Sequence, residues 1–395
     1  MCASVSIKVR RSTLGHRNRN RSTGPSTGPT VFTPEERTMK KTALTMAISS
    51  VLLAGGAQAA TVYNQNDTKL DIGGRAQGMY YGTDDNGSEG DQSYLRLHVA
   101  GETKIDNELT AFGFAEYNLP VSGSDNDELR YAYAGIKHDR FGAFSYGRQD
   151  GLFTKAVNNY TDVLPEWGGD GLGKDTEVFG TGRTNGLAQY IYTYQGLTLG
   201  AQFTGNNDPQ NADRSPTSWT KGSTEGFAVS ANYDFDMGLS LGTAYNQAGK
   251  TDEQAANAAF GGDRDAKLYG VGAKYAVGDL YLAATYSHGE DHMYVSTFNG
   301  YAEKMDGYEA VAQYAFGKFK PSLAYLRTDV KDNARGIDDT ATEYVSIGAW
   351  YNFTDNFNAY VDYKINLLDN VNGTHTNSLG KNTDDVVAVA LQYNF

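Results

Sequence analysis

Three stretches carry residue types that can do covalent or metal chemistry. Gly238-Leu239-Ser240-Leu241-Gly242 has the G-x-S-x-G spacing of a nucleophile elbow. An elbow needs a strand–turn–helix context to lift its serine clear of the backbone. Here the apolar residues continue at alternate positions through Leu241 and Tyr245, so Ser240 is expected as a hydroxyl on the polar face of a strand. His288-Gly289-Glu290-Asp291-His292 offers nitrogen and oxygen ligands but lacks the helical spacing of an H-E-x-x-H site, and reads as loop charge. Acid-rich runs such as 206–213 could hold a divalent cation only weakly through oxygens, with no specific spacing. No catalytic set, metal ligand set or cofactor motif emerges. One stretch is left: LPEWGGD, Leu164 to Asp170, with a Trp, two acids and a Pro inside about 35 residues, roughly 150–184, that have neither strand nor helix period. Loops that long in an ordered domain are usually functional or disordered.

The elements around it are strands. Leu70, Ile72, Ala76 and Tyr80 alternate with Lys69, Asp71, Arg75 and Gln77, and Leu95, Leu97 and Val99 alternate with Arg96 and His98. The same period of two runs through Phe227–Phe235, Tyr308–Tyr314 and Phe357–Ile365. Such alternation marks strands with one apolar and one polar face, and it puts Arg75 and Arg96 on the polar side. Seven short turns, for example 105–108, 138–142 and 354–356, alternate with eight long, polar, acidic connections near 82–92, 118–128, 150–184, 205–224, 247–265, 288–305, 329–341 and 368–383. These join 16 strands. Short turns at one end and long loops at the other predict an all-β fold, a 16-stranded antiparallel transmembrane β-barrel, of a size that leaves an aqueous channel. Aromatics near strand ends, such as Tyr80-Tyr81 and Trp350-Tyr351, suit a membrane interface.

Composition fits this architecture. Met39-Lys40-Lys41, an apolar run from Ala43 to Ala54 and Ala57-Gln58-Ala59 read as a signal peptide over 39–59. Residues 1–38 read as a non-native, disordered upstream extension, and 60–395 as the barrel. The only cysteine, Cys2, precedes the leader, so no disulfide is expected in the exported part. Of 34 Lys and Arg and 47 Asp and Glu, 9 and 2 precede Ala60, which leaves the remainder at a net −20. That charge disfavours nucleic acid and favours cations in any cavity it lines. No apolar run after Ala60 is long enough for a transmembrane helix. The last strand, VVAVALQYNF, places Val387, Val389, Leu391, Tyr393 and Phe395 on one face and ends on an aromatic.

YTDVLPEWGGD, Tyr160 to Asp170, resembles the third external loop of the general diffusion porins of Gram-negative outer membranes. The Gly-Gly-Arg-Ala at 73–76, SYLRLHVAGET, FSYGRQDG, GRTNGLAQY and the terminal Phe395 agree with that family. The resemblance spans Ala60 to Phe395. It implies a homotrimer in the outer membrane that passes small hydrophilic solutes and ions. It implies a third loop folded into the lumen, with Asp162 and Glu166 facing a ladder of bases, Arg75, Arg96, Arg148 and Arg183. Gly168 and Gly169 would allow the loop's bends, and Tyr393 and Phe395 would be the signal read by the barrel assembly machinery. Opposed charges across a narrow wet gap align polar solutes and set ionic preference, which the acidic balance would make cationic. The short second loop, roughly 119–128, puts the family's latch between subunits in doubt. A sugar-specific porin remains an alternative, with Trp167 as part of an aromatic track. An outer-membrane barrel enzyme is a remote one, for want of a base beside Ser240.

Overall fold

The computed structural model describes residues 59–84, 89–121, 128–172, 177–207, 222–256, 264–371 and 374–395. The upstream extension and the leader, except Ala59, lie outside the described residues.

Sixteen antiparallel strands form a closed ring: β1 (Thr68–Thr83), β2 (Tyr94–Lys104), β3 (Leu109–Pro120), β4 (Glu128–His138), β5 (Gly142–Asp150), β6 (Arg183–Tyr194), β7 (Leu197–Thr204) and β8 (Gly226–Asp234) make one half. The other half is β9 (Leu239–Ala248), β10 (Ala266–Val277), β11 (Leu280–Glu290), β12 (Lys304–Tyr314), β13 (Phe319–Asp332), β14 (Ile337–Asn352), β15 (Phe357–Asn366) and β16 (Val386–Asn394). Each strand pairs with the next, and β16 closes on β1 from Arg75↔Asn394 to Thr83↔Val386. Below that point β1 pairs instead with a short N-terminal strand, Ala60–Gln65. Gly74 joins the two stretches, exchanging backbone hydrogen bonds with Phe395 at 2.8 and 3.0 Å. Both ends of the barrel chain thus share one position in the wall, where pairing of β16 with β1 closes the ring.

The alternation read from sequence is the alternation of the two faces. Ile72, Tyr80, Leu97, Val99, Val229, Tyr308, Val361, Val389 and Leu391 are exposed, while Gln77, His98, Glu309, Asp362 and Gln392 between them are buried. An apolar exterior around a polar interior is stable only where lipid replaces water outside. All seven short turns are present. The connection expected over 329–341 is not a long loop: β13 runs to Asp332 and β14 begins at Ile337, with Lys331↔Asp338 and Asp332↔Ile337 still paired. Charged outward residues there hid a strand whose inward Val330 and Ala341 pack in an apolar cluster with Met293, Val295 and Leu379.

Candidate functional site

Between β5 and β6, residues 151–172 and 177–182 lie along the buried face of the sheet. The segment opens with a one-turn helix, Leu152–Ala156, and two 3₁₀ turns follow, Asn158–Tyr160 and Asp170–Leu172. Its apolar residues explain the docking. Phe153, Ala156, Val157 and Leu172 pack with Ala244 of β9 and Leu268 of β10. Leu164 packs with Val311, Ala324, Leu326 and Tyr344, and Trp167 reaches the group around Met79 and Tyr360. The wall makes room with glycine: a Cβ on Gly242 would lie 2.1 Å from the Ala156 carbonyl oxygen, and one on Gly307 only 1.6 Å from that of Gly171. Two bends use left-handed backbone, Gly168 at φ 137° and Gly169 at φ 69°, a region that favours glycine.

Wall side chains then fix the segment's backbone. Asn232 donates to the Ala156 carbonyl (2.8 Å), Tyr281 to that of Tyr160 (2.6 Å) and Gln313 to that of Val163 (2.7 Å). Two wall carboxylates accept from loop amides: Glu309 from Gly169 (2.9 Å) and Gly171 (3.4 Å), Asp362 from Glu166 (3.1 Å) and Trp167 (3.3 Å). Ser346 holds the second oxygen of Asp362 at 2.5 Å. These hydrogen bonds lie at the turn that carries the loop's acids.

Glu166 is held at both oxygens, by the Tyr360 hydroxyl at 2.6 Å and by that of Tyr81. Burial pushes its carboxyl above the ordinary range, and the two hydroxyls and the positive charge of Arg75 oppose that shift. Asp162 remains exposed although protein crowds around it. That crowding first, then the charges of Asp170 and Asp150, push its carboxyl up to about 6, against the pull of Arg183 and Arg130.

The bases divide into two groups. Arg75 and Arg96 stand directly opposite each other on β1 and β2. Arg75 donates to Asn394 (3.3 Å) and Tyr94 (3.2 Å), and Arg96 donates to Asn118 at 3.1 Å and lies over the Tyr94 ring. Arg183 pairs with Glu177. Arg148 occupies a β-bulge between Gly147 and Gln149 and binds Glu128 (3.1 Å) and Glu177 (3.3 Å). Sequence reasoning missed Arg130. Strict alternation puts it on the outward face with Ala132 and Ile136, but a bulge opposite Glu116 and Tyr117 turns it inward, where it pairs with Glu116 at 2.7 Å. No signal in the sequence marks that bulge.

The other stretches singled out from sequence do not assemble. Ser240 is buried and donates to Asp234, an acid rather than a histidine base. His288 binds Asp306 at 2.8 Å, whereas His292 is buried beside the Phe179 ring. Among the described residues no three side chains converge as metal ligands.

The description Gram-negative porin matches residues 65–395. The chain is 40% identical over 377 residues to the outer membrane porin protein OmpD of Citrobacter koseri, which covers 90% of this chain and 100% of that one. It is 39% identical, with the same coverage, to the OmpD of Salmonella typhimurium. Among solved structures it resembles Salmonella typhi OmpF, determined in complex with daunomycin, with a TM-score of 0.76 and 31% identity over 85% of this chain and all of that one. The trimer form of Vibrio cholerae OmpT aligns with a TM-score of 0.62 at 18% identity over 84% of this chain and all of the other, a likeness of fold alone.

Proposed function

The chain belongs to the Gram-negative porin family, a porin of the outer membrane, and from that premise we propose that it is a general, cation-preferring diffusion channel whose narrowest point is the 151–182 segment. The observation that carries this is the way wall carboxylates and glycines hold that segment on the inner face, with Asp162 and Glu166 within the electrostatic reach of Arg183, Arg130 and Arg75. Carboxylates on the loop and guanidinium groups on β1, β2 and β4 create a field across the lumen. A polar solute aligns with that field, while an apolar one must displace ordered water. Ions pass with a preference set by the acids that remain wet.

A sugar-specific channel would need aromatic faces free to stack on a solute. Trp167 instead packs 5.2 Å from the Tyr81 ring and has the Lys364 ammonium 4.8 Å over its face. This supports the unspecific reading. Liposomes carrying the purified protein should swell with small sugars at rates that fall smoothly with size and ignore stereochemistry. Saturating uptake of one sugar would overturn the reading.

The protein is further proposed to assemble as a homotrimer surrounded by outer-membrane lipid. Tyr393 and Phe395 are proposed as the mark recognised by the assembly machinery. Phe395 also bonds to Gly74 and so helps close the ring. Deleting Phe395 should lower the yield of heat-resistant trimer severalfold, and an unchanged yield would count against both roles.

A further inference from the structure

The inner wall carries a group of aromatic rings that the constriction does not use. From Arg96 toward the short turns, the inward positions of β2, β3 and β4 fall in level rows. His98, Glu116 and Tyr131 share the first row, Ala100, Phe114 and Tyr133 the second, and Glu102, Phe112 and Gly135 the third. Residues between them, such as Leu97, Val99 and Ile136, are exposed on the outer face. Phe112, Phe114, Tyr131 and Tyr133 are each half-buried. Phe114 is the hub, with its ring centroid 5.7 Å from that of Tyr133, 5.9 Å from Tyr131 and 5.8 Å from His98. Phe112 meets Tyr133 edge-on at 6.5 Å. Glycine lets the rings lie along the wall: a Cβ on Gly135 would come within 2.5 Å of the Phe112 ring.

The apolar clusters that seat the loop between β5 and β6 contain none of these rings. A porin lumen is polar and wet, so half-exposed phenylalanines on its wall keep apolar surface in water, which a passing apolar group would cover. Charge and polarity decide which group. A sugar needs hydrogen-bonding side chains around its ring, and the row neighbours Ala100 and Gly135 offer none. A cation is drawn to aromatic faces, but guanidinium groups border these. Arg130 lies 5.9 Å from the Tyr131 ring centroid. Arg130 and Arg96 both approach Glu116, at 2.7 and 3.8 Å, and Glu128, 4.0 Å from Arg130, is engaged by Arg148 at 3.1 Å. At the short-turn end Lys137 balances Glu102 at 2.9 Å. The constriction end of the patch therefore suits a carboxylate, which guanidinium groups bind with strong, directed hydrogen bonds. Successive rows are roughly 7 Å apart along the strands, about the reach of a fused two-ring carboxylate.

We propose that this patch binds planar aromatic carboxylates in transit, on the short-turn side of the constriction. The carboxylate rests on Arg96 and Arg130, and the ring lies over Phe114 and Tyr133 with Phe112 at its far edge. The inference rests on the channel reading and adds a solute class that the channel holds rather than merely passes.

The test is the ion current of the purified protein in a planar bilayer, with naphthoate as the probe. Naphthoate should block the wild-type current saturably. Cyclohexanecarboxylate carries the same charge without a planar ring, and should need about tenfold more for the same block, as expected for the loss of two ring contacts. Phe112→Leu with Phe114→Leu should raise the half-blocking concentration of naphthoate about tenfold, whereas Phe114→Tyr, which keeps the ring, should change it about twofold at most. Phe227→Leu, which removes an outward ring of β8, should be blocked as the wild type is. Equal block by the two carboxylates, equal block of the double leucine variant, or equal loss in Phe227→Leu would each overturn the proposal. Stronger block by naphthylmethylammonium or by a maltooligosaccharide would also overturn it, in favour of a cation site or a sugar site. Current without naphthoate block defeats the patch alone, while absence of current defeats the channel reading.

Discussion

Replacing Asp162 by Asn and Glu166 by Gln together should move the reversal potential of the open channel toward that of an anion-preferring pore. Both changes keep side-chain size. Neither touches a strand, so the barrel should form as before. A unit charge about 4–8 Å from a passing ion acts with about 0.5–1 kcal/mol in water, so the pair should lower the cation-to-anion permeability ratio about fivefold to tenfold. Most of the effect should come from Asp162, which remains exposed, because both Glu166 oxygens are occupied by tyrosine hydroxyls. The effect should fade as salt rises, since the screening length falls from about 10 Å at 0.1 M to about 3 Å at 1 M. Neutralising Arg96 with Arg130 should shift the potential the other way.

The same residue gives a pH dependence with a definite sign. Asp162 carries its charge above about pH 6 and loses it below. Cation preference should therefore fall between about pH 7.5 and 5, a window in which an ordinary carboxylate stays ionised. The Asp162→Asn variant should be flat across it. Reversal potentials in planar bilayers under a salt gradient read both experiments. If the double variant keeps wild-type selectivity, the filtering charge lies in the outer loops and the site is misassigned.

The second large effect is mechanical. Glu309→Ala with Asp362→Ala removes the acceptors of four loop amides, those of Glu166, Trp167, Gly169 and Gly171. Leaving a buried donor unsatisfied costs about 1–3 kcal/mol, enough in sum to release the turn from the wall. The strand ladders are untouched, so trimer yield should persist. Single-channel conductance should rise and become noisy, and larger sugars should drive liposome swelling. Gly307→Val should act in the same direction by steric means, because its side chain would occupy the position of the Gly171 carbonyl. Wild-type conductance and size limit in the Glu309/Asp362 variant would show that these contacts do not hold the constriction.

Much of this was legible in the sequence because a barrel strand obeys one simple rule. A residue either faces lipid or it does not, and the period of two states which, as Ile72 and Tyr80 against Arg75 and Gln77 illustrate. The turns were legible for a related reason: short connections between neighbouring strands are local, and their residues carry the signal. Departures came where locality fails. The top of β13 and β14 lies above the apolar zone, so its outward residues are charged and the strand reads as loop. Arg130 and Arg148 sit at bulges, and a bulge shifts the alternation by one residue without any change in composition.

By itself, then, the sequence determined the ring of strands, its polar interior and its lipid-facing exterior, because these follow from the hydropathy of alternate residues. It also marked the stretch over roughly 150–184 as exceptional. Which groups surround that segment's acids was decided only by the closed ring. Closure brings Tyr81 of β1 and Tyr360 of β15 to the same carboxylate, although they are far apart in the chain. It also sets Glu309 and Asp362, which read as ordinary polar-face residues, under the loop's amides. The physical reason is that a carboxylate's charge, hydration and orientation depend on neighbours within a few ångströms, and in a barrel those neighbours come from strands across the whole length of the chain.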